Sequence, residues 1–198
     1  MFTTHIRILL ILAGLACLIL ALPGISNDNA WTSESGQDEG GTDGISTDVI
    51  EIHMKSDKLG SEVWFDPIGV YIKPGQTVRW IVDENVHTTT AYHPKNNNHS
   101  LRIPRDATPW DSGILSPGKS FEVKFTVEGV YDYFCSPHEA AGMVGRIVVG
   151  NPTGPGAKPF DYFKGDQESG TWIPVPLAAQ KEFPDIETIM KDRVVHYK

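Results

Sequence analysis

Cysteine is the scarcest informative residue in this chain of 198 residues: there are two, at positions 17 and 135, and the first sits inside an apolar run near the N-terminus. A disulfide within the part that follows that run is therefore excluded, and so is any four-cysteine zinc or iron–sulfur site. Basic residues are few as well, 17 against 25 acidic ones for a net charge of -8, and they form no cluster. Neutralising a phosphate backbone requires such a cluster, so no nucleic acid is expected as a partner. The four methionines do not group together, no internal repeat occurs, and no nucleophile-elbow motif is present. What is there suffices for a packed domain: 40% hydrophobic and 10% aromatic residues argue against wholesale disorder and for one real core.

The N-terminus reads as an address. One positive charge, Arg7, precedes an uncharged apolar run over residues 8–22, which Pro23 and Gly24 stop. The run falls short of the ~20 residues of a spanning helix but suits the apolar region of a secretory signal. Gly24 and Ser26 supply small residues for cleavage before Asn27. An uncleaved membrane anchor and a lipoprotein attached through Cys17 are the other readings, the last weakened by Leu18, Ile19 and Leu20 continuing the run. All three place the rest of the chain outside the cytoplasm, in a periplasmic or extracytoplasmic space. Residues 1–26 are thus expected to be a signal peptide or membrane anchor, and the acidic, Gly/Ser-rich residues 27–48 a solvated linker.

From residue 49 the pattern changes to short β-type segments. Residues 49–54 alternate, and 70–72 lead through Pro74-Gly75 into 78–82, followed by 86–92. Residues 121–127 alternate strictly, so Phe121, Val123, Phe125 and Val127 share one face. Glu128-Gly129 turns the chain into 130–135, and 144–149 closes the set. Seven or eight such strands predict an all-β Greek-key β-sandwich over residues 49–150. Two segments break the rhythm. Residues 93–118 read as a long, proline-interrupted inserted loop. Residues 151–198 read as a mostly irregular, Pro-rich C-terminal extension, with one short helix over 185–191 capped by Asp185. That extension is expected either to lie as a strap along the sandwich or to serve as a partner contact.

The chemistry concentrates in residues 131–143. Cys135, His138 three residues on and Met143 five beyond that lie in one loop between two strands. With His87, which follows the turn Asp83-Glu84-Asn85, they make two imidazoles, a thiolate and a thioether. Such a set suits a trigonal His/His/Cys copper site with a weak axial Met, because the sulfurs favour Cu(I) and imidazole serves both oxidation states. Cys135-Ser-Pro-His138 with Met143, preceded by Val130-Tyr-Asp-Tyr-Phe and followed by Val144-Gly-Arg-Ile-Val-Val, resembles the copper loop of plastocyanin and pseudoazurin, the small blue copper proteins or cupredoxins. The resemblance implies a monomeric carrier that holds one type 1 copper ion and shuttles single electrons between a donor and an acceptor docking near His138. It makes His87 the upstream histidine ligand, Cys135 the thiolate, His138 the exposed histidine and Met143 the axial ligand. One position departs from the family: Thr88 stands where an Asn usually follows the first histidine and ties the two ligand loops together, which bears on the reduction potential.

Plainer readings compete at each position. Cys135 as a buried thiol and Met143 as core filler are the plain alternatives to ligation. His93 rivals His87, but it opens the inserted loop, whereas His87 follows a turn and begins a strand. His53, His99 and His196 read as surface histidines, and Trp64, Trp80 and Trp110 as core or loop anchors. Pro137, Ala140, Ala141 and Gly142 are small and uncharged, and predict an apolar patch around His138. Among functions, a copper oxidase or nitrite reductase needs a second copper centre reached through histidines flanking the cysteine, and here the flanks are Phe134 and Ser136. An enzyme is therefore not expected. A periplasmic copper chaperone or storage protein is the alternative to the electron carrier.

Overall fold

The computed structural model describes residues 49–198 apart from 166 and 168, so the readings of residues 1–26 and 27–48 lie outside the described residues. Among the described residues nine strands form two sheets: β1 (Val49–Ser56), β2 (Val63–Asp66), β3 (Gly69–Ile72), β4 (Thr77–Val82), β5 (Thr90–Ala91), β6 (Ser120–Lys124), β7 (Gly129–Phe134), β8 (Val144–Val149) and β9 (Val194–Val195). The first sheet runs β2-β1-β4-β6 and the second β5-β7-β8-β3-β9. The all-β sandwich expected from the sequence is what the chain adopts, with the inserted loop outside the strand framework and the extension contributing only the edge strand β9.

The first sheet follows the period of two. Along β4, Val78, Trp80 and Val82 are buried while Thr77, Arg79 and Ile81 are partly open to solvent. Register places Trp80 beside Ile52 of β1 and Phe121 of β6, so these apolar side chains line one face. The second sheet behaves differently. Every residue of β7 and β8 is buried. Tyr131, Tyr133, Ile147 and Val149 pack inward with Trp80, Trp110 and Phe125 in the core between the sheets. Alternate residues face the other way, where residues 151–198 cover them. Phe134 and Val144 pack with Val175, Ala179 and Phe183, and Val130 and Val148 pack with Ile189.

The extension carries more order than its prolines suggested. Besides the expected helix, α2 (Ile186–Asp192), it contains α1 (Leu177–Glu182) and the edge strand β9. Asp185 occupies the N-cap position of α2 but makes no capping side-chain bond. The expected strand over residues 86–92 is reduced to β5, preceded by an isolated bridge between His87 and Leu115. The local reason is that the Thr88 and Thr89 amides bond side chains, Cys135 and Ser112, instead of a neighbouring strand. The short β2 was not foreseen; its Trp64 stacks on Tyr197 near the C-terminus at 5.4 Å.

Candidate metal centre

The two arms of the site, His87 and Cys135, lie 48 positions apart in the sequence. His87 is fixed by its backbone, which exchanges both bonds with Leu115 (3.1 and 2.8 Å), after a turn in which Asn85 takes a left-handed φ of 61°. Cys135 directly follows β7, and its amide donates to the Met143 carbonyl at 3.0 Å. Between them the chain makes a 3-10 turn, Ser136–Ala141, with Pro137 in its first turn. The His138 amide donates to the Cys135 carbonyl (2.9 Å) and the Met143 amide to the His138 carbonyl (3.2 Å). Gly142 closes the turn with φ of 90°, a conformation that glycine adopts without strain. A Cβ there would also lie 2.9 Å from Cγ of Glu182 in α1, so the extension abuts the turn.

This geometry gathers His87, Cys135 and His138, whose ligand atoms all lie within 4.8 Å of one another. Sγ of Cys135 is 3.6 Å from Nδ1 of His87 and 3.4 Å from Nδ1 of His138, and the two rings meet edge to face at 5.0 Å. An ion with bonds of about 2.0 Å to nitrogen and about 2.3 Å to sulfur spaces such atoms by about 3.5 Å, so the cluster is dimensioned for one first-row metal. Met143 is fully buried in the same core and is tied by backbone bonds to both Cys135 and His138.

Burial sets the protonation states. It lowers His87 to about 4, helped by the nearby His138, and it lowers His138 as well. Both imidazoles are therefore neutral near pH 7, as ligation needs. Burial pushes the Cys135 thiol up to about 11, against the opposing pull of hydrogen bonds, so binding a metal there releases a proton.

Thr88 does what its departure from the family pattern put in question. Its amide donates to Sγ of Cys135 (3.2 Å), and its hydroxyl accepts from the Ser136 amide (2.7 Å). Because the Thr90 hydroxyl donates to Asp111, the Thr88 hydroxyl donates onward to Thr90 at 3.0 Å. A hydroxyl thus bridges the two ligand-bearing loops.

The remaining histidines separate. His93 accepts from the Lys95 amide at 3.0 Å and stays out of the cluster; His53 pairs with Asp83 and His196 with Asp66, each at 2.8 Å. The surface reading of His99 is overturned. It is buried, 4.5 Å from the Phe134 ring, and faces Glu139 of the ligand turn at 3.1 Å. Burial opposes its charge, but Glu139 and the Asn96 carbonyl outweigh that and raise its pKa. Sequence spacing held no signal for this contact, which spans 40 positions. Trp80 and Trp110 lie in the core as expected.

A β-sandwich with two imidazoles and a thiol gathered at one end defines a class of small metal-binding domains. The profile of the family described as copper binding proteins, plastocyanin/azurin family, matches residues 51–150. The chain belongs to this plastocyanin/azurin family of copper binding proteins. It is 36% identical over 104 residues to a chloroplastic plastocyanin of Tetradesmus obliquus, covering 46% of this chain and 64% of that one. It is 33% identical over 95 residues to a plastocyanin of Scenedesmus fuscus, covering 46% of this chain and 95% of the relative. The chain thus spans a little less than two thirds of the Tetradesmus protein but nearly all of the Scenedesmus one. Among solved structures, a pseudoazurin from Sinorhizobium aligns with a TM-score of 0.50 at 25% identity, over 72% of this chain and 96% of that one.

Proposed function

We propose that His87, Cys135, His138 and Met143 hold one type 1 copper ion, and that the protein is an exported carrier of single electrons, not an enzyme. The observation that carries this reading is the spacing of the Cys135 sulfur from two Nδ1 atoms, 3.4 and 3.6 Å. The bound ion supplies the Cu(II)/Cu(I) couple. The chain's own part is to supply a dry thiol, two neutral imidazoles and a frame that holds them between two sheets.

His138 is half-buried, whereas His87 is wholly buried, so electrons pass through the His138 edge. Ser136, Pro137, Ala140 and Ala141 around it are exposed, and Gly142 is covered. Redox partners, a donor and an acceptor, dock briefly on this apolar patch. Residues 1–26 serve export and residues 27–48 are the linker to the copper domain of residues 49–150, the extension following over 151–198. The burial of Cys135 favours a carrier over a chaperone or storage protein, which must open its ligands to a receiving partner.

The test is to add Cu(II) to the metal-free protein and record the visible spectrum. An intense blue thiolate charge-transfer band that ascorbate bleaches and an oxidant restores is expected. A weak, colourless complex would refute the reading.

A further inference from the structure

The turn that carries His138 has little of its own to hold it. Ser136–Ala141 contains no buried residue, and the hydrogen-bond geometry of a 3-10 turn is poor. A side-chain cluster from the flank of β5 and the inserted loop supplies what packing does not. Glu139 directly follows His138, and its carbonyl accepts the Gly142 amide at 2.9 Å. Its carboxylate is 14% exposed and is gripped at both oxygens: Oε1 accepts from the Tyr92 hydroxyl at 2.8 Å, and Oε2 faces Nε2 of His99 at 3.1 Å. His99 is itself fixed, with Nδ1 2.7 Å from the Asn96 carbonyl and its ring against those of Phe134 (4.5 Å) and Tyr92 (5.8 Å). Both of its nitrogens point at acceptor oxygens, so both donate, and the bond to Glu139 is charge-assisted.

We propose that Tyr92 and His99 are positioning residues: through Glu139 they hold the turn of His138 in one geometry, whether or not an ion is bound. The inference rests on the reading of His138 as a ligand for its meaning, but not for its test. Neither residue touches the cluster of His87, Cys135 and His138; each acts through a carboxylate one position along the chain. Their rings come from β5's C-terminal flank and from the inserted loop, so that loop has a definite task, to brace the ligand turn from outside.

The experiment uses the metal-free full chain and two variants that keep a ring in place, Tyr92→Phe and His99→Phe. Amide exchange is measured at Gly142 and Met143, the donors that close the turn, against Ile147 and Val149 of β8. Exchange at Gly142 and Met143 should quicken about tenfold or more in each variant, the factor expected for losing one hydrogen bond to a charged acceptor. Ile147 and Val149 should not change. In a Glu139→Ala background, Tyr92→Phe should add nothing, because the shared acceptor is gone. Unchanged exchange at Gly142 and Met143 overturns the proposal, and so does an equal quickening across β8, which would mark an ordinary packing role. The dissociation constant for Cu(I), measured on the same samples, should rise with the exchange rate. Failure of the parent chain to bind copper would sink the ligand reading and leave the exchange result to decide the brace.

Discussion

The outer faces of the two sheets each carry an ion-pair triad, of opposite charge pattern and in opposite surroundings. On the first sheet, Arg79 lies between Glu51 (3.2 Å) and Glu122 (2.6 Å), with side chains 36%, 47% and 47% exposed. On the second, Asp132 lies between Arg102 (3.0 Å) and Arg146 (2.7 Å), with side chains 0%, 1% and 8% exposed. One triad is a solvated surface feature. The other is sealed by the extension, and its spare donors go there: Arg102 bonds the carbonyls of Gly156, Lys158 and Pro159, and Arg146 that of Pro184. Residues 151–198 are therefore a third layer. The face of sheet two that they cover is the back of the two strands that bracket the ligand turn.

If that contrast is right, breaking the buried triad should have the largest effect. Asp132→Ala leaves two dry guanidiniums without their carboxylate and should cost about 3–5 kcal/mol, read as a fall in the urea midpoint. Emptying the apolar part of the same layer comes next. Ile189, fully buried against Val130 and Val148, should cost about 2–4 kcal/mol as Ile189→Ala by the same measurement. Thr88→Val then strips the bridge between the ligand loops and strands the Ser136 amide, at about 1–3 kcal/mol. That variant should also shift the reduction potential of the copper-loaded protein on voltammetry, while the visible colour largely persists. Smallest is the counterpart on the first sheet. Arg79→Ala should leave the urea midpoint where it is, because solvent screens an exposed triad. A drop as large as that of Asp132→Ala would erase the distinction between the sheets.

The same contrast explains what the sequence could tell. Residues 121–127 alternate because their sheet has one wet face, and residues 144–149 do not because their strand is covered on both faces. The gathering of Cys135 with His138 was legible because a single turn sets their spacing, and that of His87 because a turn signal precedes it. Asp132 was not, since a carboxylate between two tyrosines reads as an outward-facing strand residue; its partners are 30 and 14 positions away. His99 was hidden in the same way, following three asparagines that suggest a solvated loop. The strand expected over 86–92 was misread because Thr88, Thr89 and Thr90 have high β-propensity, yet here they serve the ligand loops. The Pro-rich composition of residues 151–198 hid α1, which begins directly after Pro176.

The proposed copper centre turns on the sulfur of Cys135. The most direct measurement is the visible spectrum of the Cu(II)-loaded full chain beside that of Cys135→Ser, with circular dichroism to show that both are folded. The thiolate provides the charge transfer, so the parent should be intensely blue and the serine variant should lose that band while keeping the β-sheet signal. A folded serine variant with the parent's colour would contradict the copper site described here.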